Sequence, residues 1–255
     1  MISFIYRNDI YAFYLSVNPQ LTHCIIQMKN KFNEAYRIPN NNFTAKVAHD
    51  TNQDATNSNE NFVVPTHSDV QILERCIIQE MNLVRLNPGK YANLYILPML
   101  EQFDGDILLH SNGTRIRTIE GITAVQECAN ALESHRGSHP LSFSIGMTKG
   151  ARDHLNDQSN NGGIGHRGSD GSSPGERVNR FGHWGITVAE NISYGYKAPR
   201  DIVISLLVDD GVKNRGHRKT ILSDEYSVTG VAFGSHPQYQ TMCVITYAGY
   251  YTEMQ

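Results

Sequence analysis

Only four cysteines occur in 255 residues, at positions 24, 76, 128 and 243. None forms a C-x-x-C pair, so neither a zinc ribbon nor a dithiol redox centre is written in the chain. Cys76 and Cys128 fall on the apolar stripes of predicted helices and Cys243 in a predicted strand, so all three read as buried structural thiols. A single Cys76–Cys128 or Cys128–Cys243 bridge is the alternative for an exported chain. No apolar run is long enough to cross a bilayer, which excludes a transmembrane segment. Charge of one sign is also lacking. Against 22 Lys and Arg stand 25 Asp and Glu, a formal net charge of −3, and nothing global draws the chain to nucleic acid or an anionic membrane. The apolar stretch at residues 10–17 is preceded by Arg7 and Asp9 and followed by Asn18-Pro19. It lacks the basic n-region, longer apolar core and small cleavage-site residues of a clear signal peptide. The motif H-E-x-x-H is absent as well.

What is present is the composition of a globular protein, 40% hydrophobic and 18% charged. Residues 1–36 show no sustained period, and residues 39–60 are dominated by Asn, Asp, Thr and Ser. So few apolar groups cannot offset the entropy of ordering, so residues 1–68 read as an extension whose later part, about 38–68, is a disordered linker. Three sequons, Asn42-Phe43-Thr44, Asn112-Gly113-Thr114 and Asn191-Ile192-Ser193, permit glycosylation in an exported chain.

Regular patterning begins at Ser68, where Ser68-Asp69-Val70-Gln71 has capping-box form and Leu73, Cys76, Ile77, Glu80 and Val84 follow at helical spacing. Asn87-Pro88-Gly89 stops that helix, and residues 103–118 read as a polar loop. A second helix is marked by Ile122, Val125, Ala129 and Leu132, and a third by Met147, Ala151, His154 and Leu155. Ser173-Pro174-Gly175-Glu176 predicts a short helix with an N-cap, Pro at N1 and Glu at N3. A strand over residues 185–194 is followed by a helix opened by Pro199 and closed by Gly211. Runs 228–234 and 241–250 predict an antiparallel hairpin. The expected fold is mixed α/β (α+β): a three-layer α-β-α sandwich with a mainly antiparallel central sheet, over residues 69–252.

Four ionisable residues stand beside glycines or at element ends: His166, Glu190, Asp210 and His217. Asp210 lies three and four residues after Leu207 and Leu206, so it is expected to continue an apolar helix face, where a carboxylate needs a cation, a donor or a metal. Two imidazoles and two carboxylates suit Zn2+ or another divalent cation. The alternative is four separately hydrogen-bonded structural residues. His154 is expected in the core, and Arg167, Ser169 and Asp170 in a structural loop with an Asx-turn. Arg177 and Arg180 are expected on a solvated helix surface, and His183 and His236 on the surface. Trp184, Tyr194, Tyr247 and Tyr250 read as core or layer-edge aromatics.

Several blocks in order resemble the CAP superfamily of cysteine-rich secretory, antigen-5 and pathogenesis-related proteins, in its simpler microbial SCP-like form. They are Met81-Asn82-Leu83-Val84-Arg85, Pro140-Leu141-Ser142-Phe143, Gly165-His166-Arg167-Gly168-Ser169-Asp170-Gly171, Ala189-Glu190-Asn191-Ile192, Arg215-Gly216-His217-Arg218 and Gly230-Val231-Ala232-Phe233-Gly234. The resemblance implies a cleft lined by two histidines and two acids: His166, Glu190, His217 and, with Asp209 beside it, Asp210. The metal ligands it implies are His166 and His217. Ala189 departs from the glycine usual before the glutamate, and the disulfide-forming cysteines of the animal and plant members are lacking. The resemblance further implies an extracellular binding module, with a protein or cell-surface partner or a sterol or lipid ligand. The alternative is a metal-dependent hydrolase with Glu190 or Asp210 as general base on a bound water.

Overall fold

The computed structural model describes residues 67–109 and 113–254. The expectations for the N-terminal extension, Cys24, the apolar stretch at 10–17 and the sequons at Asn42 and Asn112 lie outside the described residues. The chain divides into two units, Met1–Ile72 and Leu73–Gln255. Apart from the opening turns of the first helix, every described element belongs to the second unit.

Helix α1 (His67–Leu86) is followed by a one-turn helix α2 (Pro88–Tyr91), a π-helical turn Ala92–Ile96 and a 3-10 turn Leu97–Gln102. Asn87 therefore both ends one helix and caps the next, accepting from the Lys90 backbone N–H at 3.1 Å with Pro88 in the first turn. Then come β1 (Phe103–Asp104), β2 (Ile107–Leu109) and β3 (Arg115–Arg117), α3 (Ile122–Ser134), β4 (Ser142–Phe143) and α4 (Ile145–Asn161). The chain closes with α5 (Pro174–Val178), β5 (Gly182–Tyr194), α6 (Pro199–Val208), α7 (Gly216–Leu222), β6 (Val228–His236) and β7 (Gln240–Glu253).

The central sheet has the order β4-β6-β7-β5. β6 and β5 pair antiparallel with β7, and only the two-residue β4 joins in parallel. Because side chains alternate along β7, its two faces carry separate cores. Met242 and Val244 pack with Ile192, Ala232, Ala151 and Leu155, the last two from α4. On the opposite face the Tyr247 hydroxyl meets the Met81 sulfur of α1 at 3.2 Å. This is the expected three-layer α-β-α sandwich with a mainly antiparallel sheet.

Two glycine-bounded blocks have steric causes. A Cβ on Gly230 would overlap the backbone of Met147 and Thr148, so this glycine lets α4 seat directly on β6. Gly137 (φ +92) sits against the Arg85 and Leu86 carbonyls, where the Ser138 N–H donates to Arg85 O at 2.7 Å. Arg85 itself is fully buried. Its guanidinium donates to four backbone carbonyls: His139 (2.6 Å), Ile221 (2.6 Å), Ser223 (2.9 Å) and Tyr226 (3.0 Å). One side chain thus ties α1 to the end of α7 and the approach to β6, which explains an arginine on the buried face of α1.

Residues 103–118 are not a loop among the described residues but a small antiparallel sheet, β1-β2-β3. Its strands are two or three residues long and only Leu108 is buried, while Asp104 faces Arg115 and Asp106 faces Arg117. Such short, charge-studded strands carry too little apolar alternation to be told from a loop. Cys128 and Cys243 are free and buried as expected, so neither bridge considered for the chain is present. Burial pushes the Cys128 thiol up to about 12, which keeps it protonated and inert.

Candidate functional site

The loop carrying His166 is built between α4 and α5. Ser173 caps α5 by accepting from Glu176 N while Glu176 returns a bond to the Ser173 backbone, the expected capping box. Asp170 Oδ1 accepts from Ser172 N at 2.9 Å, the expected Asx-turn. Ser169 Oγ donates to Asp157 at 2.5 Å, so it is engaged by a carboxylate and is not a hydroxyl poised on a histidine.

His166 Nδ1 lies 3.0 Å from Glu190 Oε1. The imidazole is half-exposed, and the carboxylate is sealed at 1% side-chain exposure. Such a charge needs a partner, and the partner is Arg177, whose Nη2 lies 3.0 and 2.8 Å from the two oxygens of Glu190. Arg177 is 2% exposed and also donates to Ser172 O and His166 O. It is therefore not the surface residue expected from sequence. The one-turn α5 turns it inward against β5, and only Arg180, paired with Asp153 and Asp170, stays partly exposed. His154, fully buried as expected, donates from Nε2 to Gly165 O at 2.8 Å, leaving Nδ1 without a partner. Desolvation lowers its pKa, so the buried ring is held neutral. Gly165, at φ +87, is further clamped by Gln158 Nε2 on its oxygen (2.7 Å) and the Tyr194 hydroxyl on its nitrogen (3.1 Å). His154, Gln158 and Tyr194 thus fix the backbone immediately before His166.

The second histidine lies in the first turn of α7, just after the turn that ends α6. Helix α6 stops at Val208 because Asp209 adopts the left-handed conformation, φ 55 and ψ 43, as its C-cap. The expectation that the helix continued to Gly211, carrying Asp210 on its apolar face, is corrected by this turn. Asp209 is buried and receives both the backbone N–H of His217 (3.0 Å) and its ring Nδ1 (2.6 Å). Asp210 points elsewhere, accepting from the Ile119 and Glu120 backbone N–H groups ahead of α3 at 2.6 and 2.8 Å. The acid beside His217 is therefore Asp209, one residue from the position the sequence suggested. Arg215 and Arg218 hold this turn. Arg215 bonds Glu120 and the Asp209 carbonyl, and Arg218 bonds Glu127 and the Leu207 carbonyl. Glu120 lies just before α3 and Glu127 within it, and their role in the site carried no sequence signal. Glu120, hydrogen-bonded by Arg215, has its pKa drawn down to about 2.

Consecutive strand residues relate the two pairs. Glu190 points to the face of α4 and α5, and Asn191 to the other face, where its Nδ2 reaches His217 O (3.1 Å) and the Tyr247 hydroxyl (3.3 Å). The block Ala189-Glu190-Asn191 therefore anchors one pair on each side of β5, an edge strand of the sheet. Among the described residues, neither His166 nor His217 Nε2 makes a hydrogen bond to the protein. Among the described residues no three His, Cys, Asp or Glu side chains are grouped as a metal site. His217 and Asp209 also border a cavity of about 510 Å3, lined on one side by residues between Tyr95 and Leu108 and between Ile116 and Val125, and on the other by β5 and α6. Other expectations are corrected in detail. His236 is 2% exposed, with Nε2 on Gly163 O and Nδ1 receiving Gln238 and Tyr239 N–H groups, whereas Tyr250 is 54% exposed. His183 is exposed, Trp184 and Tyr194 are half-buried and Tyr247 is in the core.

Among described residues no helix is long and apolar enough to cross a membrane. Three known proteins are similar to this chain. Uncharacterized protein YkwD of Bacillus subtilis (strain 168) is 29% identical over 109 residues, covering 43% of this chain and 40% of that protein. The chain therefore spans less than half the length of this curated relative. An outer surface protein from Borrelia burgdorferi is 14% identical with a TM-score of 0.38, covering 44% of this chain and 78% of that structure. An extracellular protein containing an SCP domain from Bacillus anthracis str. Ames has the same identity and TM-score, covering 73% of this chain and 44% of that structure. The profile of the cysteine-rich secretory protein family, CAP, matches residues 110–250, more than half of the chain and a span holding His166, Arg177, Glu190, Asp209 and His217, and by that match the chain belongs to the CAP family.

Proposed function

We propose that this domain is a non-enzymatic binding module acting outside the cell, whose ligands are received at the two histidine–carboxylate pairs and the adjoining cavity. The observation that carries the reading is that His166 and His217 each commit Nδ1 to a buried carboxylate while Nε2 takes no protein partner among the described residues. A carboxylate on one nitrogen fixes the tautomer and orients the other nitrogen toward a ligand, the arrangement typical of metal-binding imidazoles. The donor chemistry suits Zn2+ or a similar cation. With one imidazole at each pair and no three donors grouped among the described residues, the remaining coordination would fall to water or to the ligand. The cavity beside His217 favours an apolar ligand, a sterol or other lipid among them, and a protein or cell-surface partner is the other class proposed. The secretory character in the family's description supports the extracellular assignment.

The hydrolase alternative has less support. Glu190 is occupied by Arg177 and His166, and Ser169 by Asp157, so neither is placed to activate water or to attack. Calorimetric titration of the full chain with ZnCl2, wild type against a His166→Ala/His217→Ala double variant, tests the metal-binding part of the reading. One-to-one binding lost in the variant supports it, and no heat in the wild type rejects it.

A further inference from the structure

The cavity bordered by His217 has a pronounced sorting of its lining. Met99, Leu108, Ile116 and Ile204 form apolar walls, and Tyr95, Phe103 and Tyr196 contribute aromatic surface. Its charge is mainly of one sign. Asp201, Asp209 and Asp210 all reach it from α6 and the turn after it, and the opposing Arg117 is itself paired with Asp106 at 3.0 Å. Asp209 and Asp210 are held in place by four hydrogen bonds, two each, from His217, Ile119 and Glu120. A carboxylate has about four lone-pair sites, so each keeps accepting capacity after these bonds. The acidic field extends into the chamber. Tyr196 is raised above its ordinary pKa first by burial and then by the charges of Asp201 and Asp210.

A pocket of this size with apolar and aromatic walls has the dimensions of a small-molecule site. Its head-group preference is decided by charge. A carboxylate or phosphate ligand would meet the Asp209 and Asp210 carboxylates at reduced dielectric and be repelled. A protonated amine would meet complementary charge and aromatic faces that attract cations. Resting on the reading of the domain as a binding module, we infer that this cavity binds a cationic amphiphile, a protonated amine carried on an apolar body, and rejects acidic lipids of the same length.

The test uses the full chain and three probes sharing one ten-carbon tail: decylammonium, decanol and decanoate, titrated below their solubility and micelle limits. Decylammonium is expected to bind most tightly, decanol more weakly, and decanoate least. Asp210→Asn should weaken decylammonium about tenfold, the loss of one charge-assisted contact, and leave decanol within about twofold. Ile204→Trp, a half-buried wall position, should fill the chamber and abolish binding of both, while circular dichroism and the melting temperature report that each variant folds. Decanol or decanoate binding as tightly as decylammonium overturns the charge inference while leaving the binding-module reading intact. Decylammonium binding that survives Ile204→Trp places it at another site and also overturns the inference. No binding of any probe overturns it, and if ZnCl2 is then silent as well the binding-module reading falls with it.

Discussion

Removing Arg177 isolates a charge that the fold has sealed from water. In the wild type, Arg177 Nη2 bridges both oxygens of Glu190 at 3.0 and 2.8 Å, with the two side chains 2% and 1% exposed. Deleting one partner of a buried pair costs about 3–5 kcal/mol, because the other charge is left desolvated. The Ser172 and His166 carbonyls lose their donor at the same time. For a domain of this size each kcal/mol moves Tm by about 2–4 °C, so Arg177→Met is expected to lower Tm by about 6–20 °C. The double variant Arg177→Met/Glu190→Leu removes both charges and offers apolar replacements, so it should recover at least half of that loss. Guanidinium unfolding of the four proteins, wild type, Glu190→Leu, Arg177→Met and the double variant, closes the cycle. A loss below about 1 kcal/mol for Arg177→Met, or a double variant no better than the sum of the singles, would refute the account of Glu190 as a sealed anion.

Four further outcomes are expected. His154 is held neutral with a lowered pKa, so its contribution to stability is complete above its ordinary value of about 6.5 and is lost as pH falls below that value, because the unfolded chain then binds the proton first. Denaturant midpoints between pH 7 and 5 should decline more steeply for wild type than for His154→Gln. Asp209→Asn should weaken ZnCl2 binding about 10–100-fold by releasing the His217 ring, whereas Asp210→Asn should leave it nearly unchanged; equal effects would reject the assignment of Asp209. Gly230→Ala pushes a methyl into the Met147–Thr148 backbone and should destabilise by about 1–3 kcal/mol in thermal melts. Thiol labelling of the native protein should be slow at Cys128 and Cys243, both buried and free, and become complete on unfolding in denaturant.

What could be read from the sequence was whatever short-range physics writes into short stretches. The apolar periods of α1, α3, α4 and α6, the Ser173–Glu176 capping box and the β6–β7 hairpin arise from patterns of a few residues, each repeated or closed locally. The layer order is a consequence of them, since helices interleaved with long strands have few ways to bury their faces. His166, Glu190 and His217 were legible as candidates because they sit in recognisable blocks. Tertiary structure alone decided what those residues touch. The left-handed turn at Asp209 depends on Arg215, Arg218 and two glutamates about 90 residues earlier in the chain, and it moved the acid beside His217 by one position. Arg177 looked like a solvated helix residue because a five-residue helix has no readable face, and only its packing against β5 turned it toward Glu190. The cavity and its carboxylates come from segments that meet only once the chain is folded, so no local pattern could carry them.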